Sequence, residues 1–215
     1  MEDSLSRSDQ TREKILDAAE GLFTQKGFTA VGVREITGQA QVHLSAVNYY
    51  FGSKKNLYLE VFRARVLPRT LPFQSVLEKL EQEEEIDLEV LIRTMASAFL
   101  RGGIGPQPDL IRHGPLFFRE LTNPSEAFDI LVTEFFKPIH QRLSRILARG
   151  LKREVAPERL SFYSMTLMAL VRHFIHSQEL VRRILEKDFD DEYIGRMIDY
   201  LTDFVMHGLA MEESP

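Results

Sequence analysis

Within seven residues, His43, Ser45, Asn48 and Tyr49 offer side chains able to hydrogen-bond a base edge, and Leu44 or Ala46 can touch a thymine methyl. Tyr50 and Phe51 follow, and then two lysines, Lys54 and Lys55. Hydrogen-bonding groups beside fixed positive charge suit DNA, because the first read bases and the second hold phosphates. On periodicity alone the same residues also fit a plain three-helix subdomain in which Tyr49, Tyr50 and Phe51 are core. Phe51 is core in either reading.

Other chemistry is sparse. The chain has no cysteine, which removes disulfides, thiolate metal ligands and thiol nucleophiles and fits a reducing compartment. It has no glycine-rich phosphate loop, no GxSxG and no HExxH. His173 and His176 stand at i, i+3 and could share a metal, but no carboxylate is suitably spaced. Packing or hydrogen bonding is the simpler role for them. The expectation is a protein that is not an enzyme and holds neither metal nor cofactor.

Helices must position the reading groups. Ile15, Ala18, Ala19, Leu22 and Phe23 recur at i, i+3, i+4 and predict a first helix over 11–26, capped by Asp9 or Thr11 and stopped at Gly27. A short helix over 33–39 has Gly32 as a weak N-cap, with Val33 and Ile36 inward. A second covers 43–49, anchored by Leu44 or Val47. The turn near Ala40–Gln41 gives the pair helix-turn-helix spacing, with the second helix set to enter a major groove. Ser53 caps a longer helix that Pro68 and Pro72 must bend or break. Further helices are predicted over 87–101, 109–121, 124–152 with a kink at Pro138, 157–176, and from Asp190 or Asp191 to Gly208. The breaker Gly-Gly-Ile-Gly-Pro-Gln-Pro at 102–108 reads as a loop, the acidic run at 81–87 as a solvated helix end, and Asn123 as a helix cap. No stretch alternates as a strand would. The class is all-α, with about nine helices.

Composition bounds the function. The 215 residues are 44% hydrophobic and 27% charged, enough for a packed core. No run of about 18 apolar residues exists, so no membrane helix is expected, and the polar N-terminus does not read as a signal peptide. The net charge of −5 does not favour a simple nucleic-acid binder. Charge is local, however: from Arg34 to Lys55 there are three bases against one acid, Glu35. So small a patch implies modest non-specific affinity per subunit, which a dimer doubles.

The strings ILDAAEGLFTQKGFTAVGVREI (15–36) and VHLSAVNYYFGSKKNL (42–57) resemble the DNA-binding domain of the TetR family of bacterial transcriptional regulators. The resemblance covers about 45 residues: an amphipathic helix ending in Gly27-Phe28, an Arg-Glu-Ile segment, then a reading helix ending Tyr–aromatic–Phe before Ser-Lys. It implies that Tyr50 and Lys54 bind backbone phosphates and that His43, Leu44, Ser45, Asn48 and Tyr49 face bases. Arg34 is a further phosphate candidate. Lys55 is either another or a solvated helix-start residue. Two positions depart from the family pattern. Gln41 stands where the turn usually has Gly, which implies either a mildly strained φ > 0 residue or a slightly shifted turn. Gly32 replaces a Ser or Thr cap, with loss of one phosphate-binding hydroxyl.

The segment PLFFRELTNPSEAFDILVTEFFKPIHQRL (115–143) is similar to the C-terminal domain of the CecR branch of that family. The implied organisation is a DNA-binding domain at 1–52 and a helical ligand-binding and dimerisation domain at 53–215. On the helix over 157–176, Leu160, Tyr163, Leu167, Val171, Phe174 and Ile175 form one stripe, and Phe162, Met165, Ala169 and Leu170 the opposite side. The last helix carries Ile194, Met197, Ile198, Leu201, Phe204 and Val205, with Tyr193 and Tyr200 nearby. A helix apolar on two sides needs two partners, so these last two long helices are the homodimer candidates. Candidate effector-pocket residues are Phe99, His113, Phe117, Arg119, Phe136, His140 and His173. The expected protein is cytoplasmic and binds double-stranded DNA as a homodimer. It is a repressor released from a palindromic operator by a small molecule. The alternative is a TetR-like DNA binder without inducer, whose C-terminal domain docks a protein partner.

Overall fold

A computed structural model describes residues 6–104 and 109–210, with the side chains of 103, 104, 109–115 and 210 left aside. The described residues are all-α, with no strand, and form ten continuous helical rods. None of these helices is long and apolar enough to cross a membrane. In chain order they comprise α1 (Arg7–Lys26), α2 (Val33–Ala40), α3 (Ala46–Phe51), α4 (Lys54–Val61), α5 (Leu71–Gln82) and α6 (Leu88–Ile104). Then come α7 (Asp109–Thr122), α8 (Glu126–Leu131), α9 (Lys137–Gly150), α10 (Pro157–His176), α11 (Gln178–Leu185) and α12 (Asp191–Ala210). The expected loop at 102–108 shrinks: Gly102–Ile104 close α6, and 105–108 lie outside the described residues.

Two rods change hydrogen-bonding pattern beside a proline. A π turn at Phe62–Val66 and a 3-10 turn at Leu67–Thr70 join α4 to α5, and a π turn at Val132–Phe136 joins α8 to α9. Pro68 and Pro138 lack the N–H that would bond the carbonyl four residues back, and their rings crowd it. Those carbonyls, of Ala64 and Glu134, fall inside the π turns, where the extra residue moves them aside. These rods therefore continue through their prolines without ending.

The chain forms two compact units, Met1–Arg69 with His113–Phe135, and Thr70–Arg112 with Phe136–Pro215. They do not divide at the expected boundary between residues 52 and 53. In the first unit α1 starts earlier than expected, because the hydroxyl of Ser6 accepts from the Asp9 amide. Ile15, Leu16, Ala19 and Phe23 of α1 are buried with Leu57 and Val61 of α4, which is why α4 belongs to this unit. Glu13, Asp17 and Glu20 line one face of α1. Arg65 bonds the first two at 2.6 and 2.9 Å, and Arg69 bonds Glu20 at 2.6 Å. Ser125, not Asn123, caps α8.

One polar cluster is sealed in this unit. Glu120, 2% exposed, stands four residues beyond buried Leu116 on α7. Its carboxyl group accepts from Tyr58 Oη at 2.7 Å, from the Ser125 amide at 2.8 Å and from Ser125 Oγ at 2.9 Å. Burial first, and then the hydrogen bond and charge of Glu120, push the Tyr58 hydroxyl well above its ordinary pKa. Substituting Glu120 with Ala orphans the buried Tyr58 hydroxyl and the half-buried Ser125 amide, so it should cost about 2–4 kcal/mol. Tyr58→Phe should cost less, about 1 kcal/mol. Urea denaturation followed by circular dichroism checks both, and equal costs would contradict the ranking.

In the second unit α6 packs against α10 and α12, and α9 against α5 and α10. Leu91, Ile92 and Met95 of α6 and Leu143, Ile146 and Leu147 of α9 fill its interior. The acidic run is tied down: Arg142 and Arg145 bond Glu81 at 2.8 and 2.6 Å, and Arg149 donates to the carbonyls of Glu81 and Glu83. The two arginines hold the Glu81 carboxyl below the usual range, the Arg145 hydrogen bond being the largest cause. Gly150 is required, because a Cβ there would lie 2.5 Å from Leu88 Cδ2. The short helix α11 was not expected; it follows α10 after Ser177.

Candidate nucleic-acid interface

Of the two forms open to the turn entering the reading helix, the left-handed one is found. Gln41 sits at φ 55°, ψ 45°, and its amide caps α2 at Gly38 O, while Val42 N–H bonds Thr37 O at 3.0 Å. A non-glycine residue in this left-handed region costs about 1 kcal/mol or more. Gly32 opens α2 with no side-chain cap, as its residue type requires.

The reading helix proper begins later than the 43–49 expected. His43–Ser45 form a turn, and α3 starts at Ala46. Local bonds explain the shift: Ser45 N–H donates to His43 Nδ1 at 3.3 Å, and Ser45 Oγ lies 2.8 Å from the same nitrogen. Such side-chain bonds compete with helix at its first turn. The anchor is Val47, fully buried, and not Leu44, which is exposed. Phe51, one turn on, is buried beside it in the core, as both readings required.

Opposite that anchor, His43, Leu44, Ser45, Asn48 and Tyr49 are all exposed, so they share one outward surface. Tyr49 is 79% exposed, which removes it from the core of a plain three-helix subdomain. Its ring meets that of half-buried Tyr50 edge-on at 4.9 Å, and the Tyr50 hydroxyl accepts from Ser8 Oγ at 3.3 Å. Arg34 is exposed at the start of α2.

The lysines are both engaged. Lys54 Nζ donates to the carbonyls of Phe28 and Val31, each at 2.8 Å, and lies 4.3 Å from the Phe28 ring centroid. Lys54 therefore pins the segment between α1 and α2, and one of its three protons remains for another acceptor. Lys55, exposed, pairs with Glu126 at 2.6 Å. The hydrogen bond from Lys55 is the main reason the Glu126 carboxyl stays below its ordinary pKa.

A second group near the interface escaped the sequence reading. Arg119 leaves the expected effector pocket: its Nη2 donates to Thr24 O at 3.3 Å, near the end of α1. An added Cβ at Gly27, itself at φ 80°, would collide with that guanidinium. Glu120 also escaped it. The available signal was its place on the Leu116 stripe, since a lone carboxylate on a buried stripe must find donors.

Two family models match the chain. Residues 15–61 match the bacterial regulatory proteins of the tetR family, and residues 71–209 match the C-terminal domain of the HTH-type transcriptional dual regulator CecR. This chain belongs to the TetR family, in its CecR-type branch. The regulator is 24% identical over 213 residues to the dual regulator CecR of Shigella flexneri, covering 95% of each chain. Its fold is that of a solved SmeT–triclosan complex, with TM-score 0.66, 20% identity, and 92% and 90% of the two chains covered. SmeT is the repressor of a Stenotrophomonas maltophilia multidrug efflux pump. The hemolysin II transcriptional regulator HlyIIR has the same fold, with TM-score 0.60, 22% identity, and 91% and 98% covered. The chain is thus a DNA-binding transcriptional regulator.

The other pocket candidates scatter. Phe117 and Arg119 fall in the first unit, where Phe117 packs edge-on against Phe118 and Phe135. Phe99, Phe136, His140 and His173 fall in the second. Phe99 meets Phe73 edge-on at 4.6 Å, and half-buried Phe136 ends the π turn before α9. His140 Nδ1 bonds buried Ser164 Oγ at 2.5 Å, and His173 is exposed. The side chain of His113 lies outside the described residues. Between α6, α10 and α12 lies a small apolar cavity of about 10 Å³, lined by Met95, Leu167 and Val205 among others. That is about one water probe.

Proposed function

We propose that this regulator is a cytoplasmic homodimeric repressor that leaves a palindromic operator when a small molecule binds its C-terminal domain. The supporting observation is the surface of His43, Leu44, Ser45, Asn48 and Tyr49, exposed over a buried Val47–Phe51 anchor. In this reading those five face bases, while Arg34, Tyr50, Lys54 and Lys55 address phosphates. The dimer forms through α10 and α12. Their inward stripes are filled by Leu160, Leu167, Val171, Ile194 and Ile198, while Phe162, Met165, Tyr200 and Phe204 stay exposed. A two-fold axis there presents two reading helices to one duplex.

The effector acts by differential affinity. Lowering operator affinity tenfold needs about 1.4 kcal/mol of coupling. That a SmeT of the same fold was solved with triclosan supports a small-molecule effector. The second reading is a C-terminal domain that docks a protein. Thermal-shift screening of the pure chain separates them, with each hit tested for release of DNA from the chain's own promoter. Hits that raise the melting temperature but never release DNA would refute the effector reading.

Lys55 gives a sharper check on the phosphate assignments. Lys55→Ala should weaken binding to all duplexes alike and lower the salt slope by about 1 per subunit. Because Lys55 must first leave Glu126, the loss should be small, about two- to fivefold at 0.15 M salt. Fluorescence anisotropy across a salt series measures both. An unchanged slope assigns Lys55 to the helix start alone.

A further inference from the structure

The bonds around His43 fix which way its imidazole can hydrogen-bond. An amide nitrogen can only donate, so Ser45 N–H, 3.3 Å from His43 Nδ1, makes Nδ1 an acceptor. The neutral ring then carries its proton on Nε2. Ser45 Oγ, 2.8 Å from the same Nδ1, gives its own proton to that lone pair. Its outer side is left with acceptor lone pairs only. Both side chains are exposed, and among the described residues neither His43 Nε2 nor Ser45 Oγ meets any further hydrogen-bond partner.

We propose that His43 and Ser45 form a polarised reading pair, resting on the DNA-binding role above. His43 Nε2–H donates to the N7 of a purine, and Ser45 Oγ accepts from the exocyclic amine of an adenine or cytosine in a neighbouring base pair. The two ring nitrogens of imidazole point apart, so Nε2 lies on the far side of the ring from Ser45. One base cannot satisfy both groups, and two adjacent ones can. Purine N7 is an acceptor in the major groove for both adenine and guanine, whereas the cytosine edge offers only an amine donor. Cytosine is therefore rejected at the His43 position, where its N4–H would face Nε2–H. Ser45 also positions His43, since its amide holds the ring in one orientation and less freedom is lost on binding.

The test is selection of bound sites from a random duplex library by the full-length wild type, by His43→Ala and by Ser45→Ala. Wild type should enrich a symmetric site with a purine column in each half. His43→Ala should flatten that column and leave the rest. Ser45→Ala keeps the amide bond and should flatten only the adjacent adenine-or-cytosine column. The enriched duplex is then made with the 7-deaza purine in that column. The change should weaken wild type about tenfold and leave His43→Ala unchanged. Both residues are exposed, so the variants should melt with wild type. A purine column that survives His43→Ala, or indifference of wild type to the 7-deaza base, overturns the polarised pair while leaving the regulator in place. A wild type that enriches no symmetric site removes the palindromic reading on which the pair rests.

Discussion

Asn48→Ala with Tyr49→Ala should lower affinity for the enriched operator by about a thousandfold, with the fold unchanged. Asn48 lies on the exposed face of α3 and Tyr49 projects furthest from it. Truncating them removes no buried contact, so the melting temperature should hold. A well-made base contact discriminates by about 1–3 kcal/mol. Two contacts in each of two half-sites, at the low end of that range, give ~4 kcal/mol, or nearly a thousandfold. Specific binding commonly exceeds non-specific binding by about 10³–10⁷, so a loss of this size removes most or all of the preference. Competition anisotropy against unrelated duplex measures it. Non-specific affinity should barely move, because neither side chain carries charge. A double variant whose operator affinity falls less than tenfold would mean that α3 is not the reading element.

The helix-turn-helix was legible because its signals are local. Hydrophobic spacing located α1, the Gly27 stop and the Ser53 cap, and each depends on residues within a turn or two of one another. The strain at Gln41 was legible for the same reason, since a turn that wants glycine keeps its geometry when the flanking helices fix it. What was not legible depends on partners far along the chain. Lys54 looks in sequence like a bare cation after an aromatic triplet, yet two of its protons go to carbonyls more than twenty residues earlier. Glu120 and Tyr58, sixty-two residues apart, meet only after folding. Arg119 was grouped with pocket aromatics by proximity in sequence, but a helix turns adjacent side chains about 100° apart. Phe117 and Arg119 accordingly find different surroundings. The same holds for the place of α4: Ser53 starts it, as expected, but its burial of Leu57 and Val61 with α1 depends on residues some forty positions earlier.

The α10–α12 surface carries the second large effect. Phe162 and Phe204 are 61% and 69% exposed in the single chain. Both lie on faces that the rest of their unit leaves open, while Leu160, Val171, Ile194 and Ile198 fill the inner sides. Replacing both phenylalanines with Glu should leave each protomer folded and should abolish the dimer. Full burial of a Phe side chain stabilises by about 1.5–3 kcal/mol. A symmetric interface loses four such rings, ~6–12 kcal/mol, before any charge burial is counted. That is most or all of the free energy of a micromolar to nanomolar dimer, about 8–12 kcal/mol, and the buried charges add to the loss. Light scattering at micromolar concentration should therefore give the mass of one chain, with the helical circular dichroism signal retained. Operator binding should fall at least about a hundredfold, because the second half-site no longer binds at millimolar effective concentration. The salt slope should halve, as only one subunit's phosphate contacts form at a time. A variant that remains dimeric with wild-type slope would place the two-fold axis elsewhere, and Leu180 and Ile184 of α11, also exposed and apolar, would be the next faces to substitute.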